Sequence, residues 1–307
     1  MNAVTRTLLL SPDNADLPEA AGGKARALAR LSAAGFNPPA FFVVLPAAFD
    51  SDGLIGDQVA MLDRAIAELG EGPFAVRSSG AQEDGAEHSH AGQFLSLLNV
   101  AAADVADAAH KVWASGLGGS VADYRKLHHL DEADPAPAVV VQKMIDASAA
   151  GVAFSADPVH GLHHHAVVSA IAGLGERLVS GEEDGETWTV DTIQQSIVSA
   201  PDETSVLHPD QAIEVAGLAE RVEAAFGAPQ DIEWAFDGAT LHILQARPIT
   251  TELKPAPHAD PQVVIYDNSN IVESYPGLVS PLTYSFACYA YARVYKAFVK
   301  LVEVRDE

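Results

Sequence analysis

Cations are scarce in this sequence. Eighteen Lys and Arg residues stand against forty-two Asp and Glu in 307 residues, a formal charge of −24. A surface this acidic repels phosphate backbones and anionic bilayers, which argues against nucleic-acid and membrane partners. It also makes each well-placed Lys or Arg informative, because a polyanionic ligand needs a local cluster of them. Cysteine is all but missing. Cys288 stands alone, which rules out a disulfide within the chain and suits a reducing compartment, so a cytoplasmic location is expected. The N-terminus carries only the short run Leu8-Leu9-Leu10, far below the length of a signal peptide or a membrane span.

What is present is a soluble, globular composition, 48% apolar and 20% charged, with enough apolar residues for a real core. The length allows two domains, or one large domain with an appendage. The most telling stretch runs from Pro229 to Thr250 and reads as a β-hairpin. A β-prone run from Ile232 to Phe236 is followed by Asp237-Gly238 and then by alternating residues up to Arg247-Pro248. Both strands carry unexpected polar groups, Asp231 and Glu233 on the first and Gln245 and Arg247 on the second. A two-residue loop at Asp237-Gly238 pairs Glu233 with His242 and sends Gln245 to the other face. A three-residue loop of Phe236, Asp237 and Gly238 pairs Glu233 with Leu241 and gathers all four polar groups on one face. Carboxylates, an amide oxygen and a guanidinium together suit Mg²⁺ bound with a phosphate. The same residues also suit a solvated hairpin face with a surface Arg–Glu pair, and spacing alone does not choose.

Upstream, Gly22-Gly23-Lys24 opens a helix over 25–34, whose free N–H groups, dipole and lysine favour an anion. An ordinary loop-to-helix junction reads the same way. An apolar strand is expected over 40–45, a helix over 57–69, and a short buried strand over 73–80 with Arg77 near its end. A polar loop over 81–91 suits a flap over a ligand. Further strands are expected over 94–100, 139–144, 151–155, 166–170 and 188–190, with helices over 102–115 and 209–227. His163-His164-His165 reads as a solvated turn, since adjacent strand residues point to opposite faces.

Seven segments occur in an order that carries a resemblance: Gly22-Gly23-Lys24, Val76-Arg77-Ser78-Ser79, Ala91-Gly92-Gln93 with Leu98-Asn99-Val100, Val141-Gln142-Lys143-Met144, Gly173-Leu174-Gly175-Glu176, Asp231-Ile232-Glu233-Trp234 and Gln245-Ala246-Arg247-Pro248. Over about residues 15–252 the chain resembles the N-terminal nucleotide-binding domain of the phosphoenolpyruvate synthase and pyruvate phosphate dikinase family, which includes rifampicin phosphotransferase and the glucan water dikinases. The resemblance implies an α+β, ATP-grasp fold whose two lobes clamp Mg-ATP. It implies Lys24, Arg77 and Arg247 as phosphate-binding and catalytic residues. Gly92, Gln93, Gln142, Lys143, Met144 and Glu176 join them in binding the nucleotide, with Gln142 to Met144 edging the adenine. Glu233 and Gln245 would hold Mg²⁺.

Family chemistry cleaves ATP to AMP and phosphate and passes the β-phosphoryl group to a histidine on a separate domain, and from there to pyruvate or another small acceptor. The resemblance therefore implies a phosphorylatable-histidine domain and an acceptor-binding domain as partners, in a longer chain or a second subunit. An antibiotic- or sugar-phosphorylating relative and a non-catalytic nucleotide sensor are the alternative readings. The expected organisation is an ATP-binding domain over 1–252, a linker over 253–262, and over 263–307 a C-terminal helical extension that begins a region mostly absent from this chain. Departures from the family pattern fall around the flap. Gly80-Ala81 follows Ser78-Ser79 where relatives carry Ala-Thr, and Ser89-His90-Ala91-Gly92 stands for Ser-Phe-Ala-Gly. The stretch between Val190 and Pro209 is short and lacks lysines. These changes bear on lid closure and γ-phosphate handling.

Overall fold

β-Branched and aromatic residues without polar interruption over Phe41–Val44 and over 138–141 make these the centres of buried strands, since only a strand covered on both faces can be apolar throughout. The computed structural model describes residues 9–10, 17–80, 95–117, 136–202 and 206–249, all within a compact unit spanning Met1–Ala256. The expected flap over 81–91, Gly92 and Gln93, the linker over 253–262 and the region 263–307 lie outside the described residues.

The first sheet has five antiparallel strands in the order β1-β2-β7-β5-β6. These are β1 (Leu9–Leu10), β2 (Phe41–Val44), β5 (Phe74–Ser79), β6 (Ser96–Val100) and β7 (Ala138–Lys143), and β3 (Phe49–Asp50) pairs with β4 (Gly53–Leu54) in a separate small hairpin. The outer face carries Phe42, Val44, Phe74, Val76, Val139 and Val141. It packs on Leu62 and Ile66 of α2 (Gln58–Leu69) and on Val105, Ala109 and Val112 of α3 (Val105–Ser115). The inner face places Phe41, Val43, Ala138 and Val140 against Leu28 and Leu31 of α1 (Gly22–Ala33). Arg77 pairs with Val140 and Ala75 with Gln142, so Arg77 and Gln142 stand on this inner face too.

The second sheet has six antiparallel strands in the order β11-β10-β9-β8-β12-β13. These are β8 (Ala149–Phe154), β9 (His165–Ala172), β10 (Glu186–Asp191), β11 (Ser196–Ser199), β12 (Gln230–Asp237) and β13 (Thr240–Pro248), with a single turn, α4 (Glu176–Val179), after β9. One face buries Trp188, Ile232, Trp234, Phe236 and Ile243 against α5 (Pro209–Phe226). Helix α5 begins with proline at its first position and a capping box, His208 N donating to Gln211 Oε1 at 2.9 Å. It ends at Gly227, in the left-handed region at φ 74°, whose N–H donates to Glu223 O at 2.7 Å, as helix starts and stops require. Helix α1 ties the two halves together, with the Arg30 guanidinium 4.1 Å from the centre of the Phe226 ring.

The hairpin differs from both registers expected of it. Its turn is Gly238-Ala239, one residue later than Asp237-Gly238, and Asp237 pairs with Thr240. Gly238, at φ 56°, takes the first place of a two-residue turn, where a positive φ is required. Glu233 therefore pairs with neither Leu241 nor His242. A bulge at Leu244 intervenes, so that Trp234 pairs with Ile243 but Glu233 with Gln245 and Asp231 with Arg247. The extra residue shifts the alternation of β13 by one. Leu241 and Ile243 face the core, while Gln245 and Arg247, of the same parity, face away from it. The four polar groups share a face, by a route that neither loop length provides. Strand β11 and the β3–β4 hairpin are also absent from the sequence reading; two-residue strands and a half-exposed edge give too little alternation to register.

Candidate functional site

The start of α1 and the end of β5 are locked together by hydrogen bonds. Ser79 Oγ donates to Ala21 O at 2.7 Å and accepts from Ala25 N at 3.1 Å, and Gly23 N donates to Gly80 O at 3.0 Å. Gly22 sits at φ 78°, and a Cβ there would collide with the Ser79 carbonyl, so only glycine fits this approach. Two glycines and a serine thus set Lys24, on the first turn of α1, beside the strand that carries Arg77. Lys24 lies near enough for its charge to act on Glu233.

Opposite them stands the polar face of β12 and β13. Arg77 Nη2 donates to Glu233 Oε2 at 2.8 Å, joining the first sheet to the second. Arg247 reaches Asp231 Oδ2 through Nε at 2.7 Å and Nη2 at 2.6 Å. The two carboxylates respond differently. Burial pushes the Glu233 carboxyl up, but Arg77, with Lys24 and Arg247 behind it, outweighs that and holds it below its ordinary value. Burial also pushes Asp231 up, and there Arg247 does not fully offset it, with the Glu233 charge adding to the rise. Four sequence-singled residues, Arg77, Glu233, Gln245 and Arg247, are therefore brought together, with Lys24 at their edge.

Two buried amides flank this cluster without a protein partner, Gln245 Oε1 and Gln142 Nε2. Buried polar atoms are rarely left unpaired. An amide oxygen with nothing to accept, directly opposite a carboxylate, fits a hard cation that takes oxygen ligands and completes its shell from phosphates and water. Among the described residues no group of three or more His, Cys, Asp and Glu side chains is placed to hold a metal, so a cation bound only by such side chains does not fit this site.

Beyond the cluster lies a cavity of about 680 Å³. Lys143 and Met144 line it, as do Leu174, Asp237 and His242. The backbone of Lys143 is fixed by its N–H to Ala40 O at 2.8 Å, and that of Met144 by its N–H to Pro73 O at 3.0 Å. Met144 Sδ accepts from Asn99 N at 2.9 Å. Gln142 does not line the cavity and turns instead to the inner face. Glu176, the first residue of α4, is exposed and is not brought to the cavity wall. Sequence reasoning missed the cavity roles of Asp237 and His242, reading the first as a turn residue only. Parity offers a signal for His242, since it stands opposite Ala235 on the face of Glu233.

Residues 55–201 and 192–264 match the family described as pyruvate phosphate dikinase, AMP/ATP-binding domain. The prodigiosin-synthesizing transferase PigC of Serratia marcescens is 32% identical over an alignment taking in 98% of this chain and 41% of that protein. A rifampicin phosphotransferase of a Streptomyces species is 38% identical over 67% of this chain and 27% of its own length. A probable phosphoenolpyruvate synthase of Archaeoglobus fulgidus is 34% identical over 62% and 28%. The chain thus spans less than half the length of these curated relatives. Among solved structures, D-alanyl-alanine synthetase A of Vibrio cholerae aligns with 76% of this chain and 59% of its own at 14% identity and a TM-score of 0.40. No helix among the described residues is long and apolar enough to cross a membrane.

Proposed function

The chain belongs to the family of the pyruvate phosphate dikinase AMP/ATP-binding domain, and from that membership we propose that it is the Mg-ATP-binding part of a dikinase-type phosphotransferase with an ATP-grasp fold. The observation that carries this reading is the convergence of Arg77, on the inner face of the first sheet, and Lys24, at the start of α1, with Glu233, Gln245 and Arg247 on the second sheet. In a protein of charge −24, three cations gathered around the two carboxylates Asp231 and Glu233 are best explained by a polyanionic ligand.

On this reading Glu233 and Gln245 would hold Mg²⁺, which would supply positive charge to offset that developing on the phosphate oxygens during transfer. Arg77 and Arg247 read phosphate oxygens with their forked donors, and Lys24 adds a point charge at the helix start. Lys143 and Met144 edge the base. The β-phosphoryl group passes to a histidine on a separate domain, leaving AMP and phosphate, and from it to a small acceptor, in the cytoplasm. The relatives named above carry different activities in their names, and each matches this chain over only part of its own length. What they have in common in this stretch is the nucleotide part, and the acceptor is read elsewhere.

Calorimetric titration of the chain with ATP, with and without Mg²⁺, tests the reading. Magnesium-dependent ATP binding is the expected result. Absence of nucleotide binding in either condition overturns it.

A further inference from the structure

His242 enters none of the steps above, yet its Nδ1 is buried and has no partner within the protein. Of the described side chains left with such an atom, His242 is the one that lines the cavity. An unmade hydrogen bond is destabilising, and a fold keeps one where something outside the protein completes it. The position of His242 indicates what that is. It pairs with Ala235 on the face that carries Glu233 and Gln245, two residues along β12 towards the turn, a rise of about 7 Å. Met144, Ile145, Leu174 and Pro39 supply apolar walls to the same cavity. A ligand whose phosphates meet Arg77 and Gln245 must extend along this face past the Ala235–His242 pair. Its uncharged remainder then fills the cavity.

We propose that His242 is a positioning residue that holds the nucleoside portion of the nucleotide through Nδ1. A neutral imidazole with its proton on Nε2 accepts at Nδ1, and a nucleoside offers hydroxyl and amino donors. The inference rests on the nucleotide reading above and adds to it the residue that tells a nucleotide from a bare polyphosphate.

Mg-ATP and Mg-tripolyphosphate, titrated separately into the full chain, separate the two ideas. His242→Leu and His242→Asn have nearly the same shape, but only Asn places a polar group where Nδ1 stood. His242→Leu should weaken Mg-ATP about tenfold and leave Mg-tripolyphosphate within about twofold, and His242→Asn should recover most of the loss. If the Leu variant does not fold, His242→Phe takes its place in the comparison. Undiminished ATP affinity in the apolar variant, equal losses for both ligands, or Asn no better than the apolar variant would each overturn the proposal. A parent chain that binds neither ligand, or tripolyphosphate alone, defeats the nucleotide reading beneath it instead.

Discussion

Arg77 on β5 and Glu233 on β12 lie 156 residues apart in sequence and meet at 2.8 Å across the gap between the sheets. Each is more than three-quarters buried, with side-chain exposures of 18% and 24%. For charges this far from water the cost of desolvating both offsets much of their attraction, so the contact alone explains little of the fold. Its interest is that the proposed function gives both partners a role with the ligand. On the proposed reading Glu233 would hold a cation in place of the guanidinium, and Arg77 would be left to a phosphate. Without a ligand the two cover for one another, so neither buried charge stands unpaired.

Glu233→Gln keeps the shape of the side chain and removes its charge. Affinity for Mg-ATP should fall about tenfold, equivalent to about 1.4 kcal/mol, while metal-free ATP binding changes little. Calorimetry in the presence and absence of Mg²⁺ reads the difference, and equal losses in both conditions would remove Glu233 from the metal site.

Arg77→Gln and Arg247→Gln should each cost phosphoryl transfer ~3 kcal/mol, the scale of removing one preorganised donor from a transition state. The measurement is single-turnover AMP formation by the chain supplied with a phosphorylatable-histidine domain of its family. A slowing of less than about tenfold in either variant would return that arginine to the status of a surface ion-pair partner.

Stability should depend on pH through the two carboxylates, with opposite signs. Glu233 is held below its ordinary value, so the unfolded chain binds its proton more readily than the folded one. Its contribution is complete above the ordinary glutamate value and is lost as pH falls through the depressed one. Asp231 is raised, so its contribution is greatest below the ordinary aspartate value and is lost as pH rises through the elevated one. Denaturant midpoints collected from about pH 3 to about pH 7, spanning the ordinary carboxylate range, should show a shallower acid limb in Glu233→Gln. Asp231→Asn should remove the loss on the rising side. Curves for both variants that parallel the parent would contradict the assigned shifts.

Gly22→Ala tests the junction that places Lys24. The new Cβ meets the Ser79 carbonyl at a positive φ, so destabilisation should exceed the ~1 kcal/mol scale of a tolerated glycine replacement. Nucleotide affinity should fall with it, because the start of α1 must shift. Gly35→Ala, also at positive φ but in open space, is the control: it should lose stability while retaining affinity. If Gly22→Ala binds ATP as the parent does, the junction is not what positions Lys24.

How much of this was legible in the sequence depended on whether a feature was written in local alternation. Helices α1, α2 and α5 and the central strands of both sheets could be read from apolar periodicity and their glycine stops, to within a few residues. The shared face of Asp231, Glu233, Gln245 and Arg247 was legible as a possibility, but its cause was misread. Gln245 and Arg247 have the same parity as apolar Leu241 and Ile243, and only an inserted residue can send the two pairs to opposite faces. That contradiction stood in the sequence and was the signal for the bulge. The cavity was not legible, because its walls come from the segments around Pro39, Pro73, Met144, Leu174 and His242, which only the tertiary fold brings together. The resemblance set Gln142 beside Lys143 and Met144 at the adenine edge; in the fold its side chain stands on the inner face and not on the cavity wall, because one step along a strand reverses the direction of a side chain.

Leu244 gives the last strand the character of a phase shift in a wave. On either side of it the two-residue rhythm is intact, but the halves are out of step, one written for the core and one for the charged face. Deleting this single residue would leave Ile243 opposite Trp234 and Gln245 opposite Glu233 in unbroken alternation, whereas one more residue joining the ladder here would turn Gln245 and Arg247 inward and present Ala246 in their place. Chemistry in this hairpin is therefore stored in the count of residues as much as in their kinds. Substitution or deletion at Leu244 should be tolerated far better than an insertion beside it, an asymmetry that no inventory of side chains at the site would disclose.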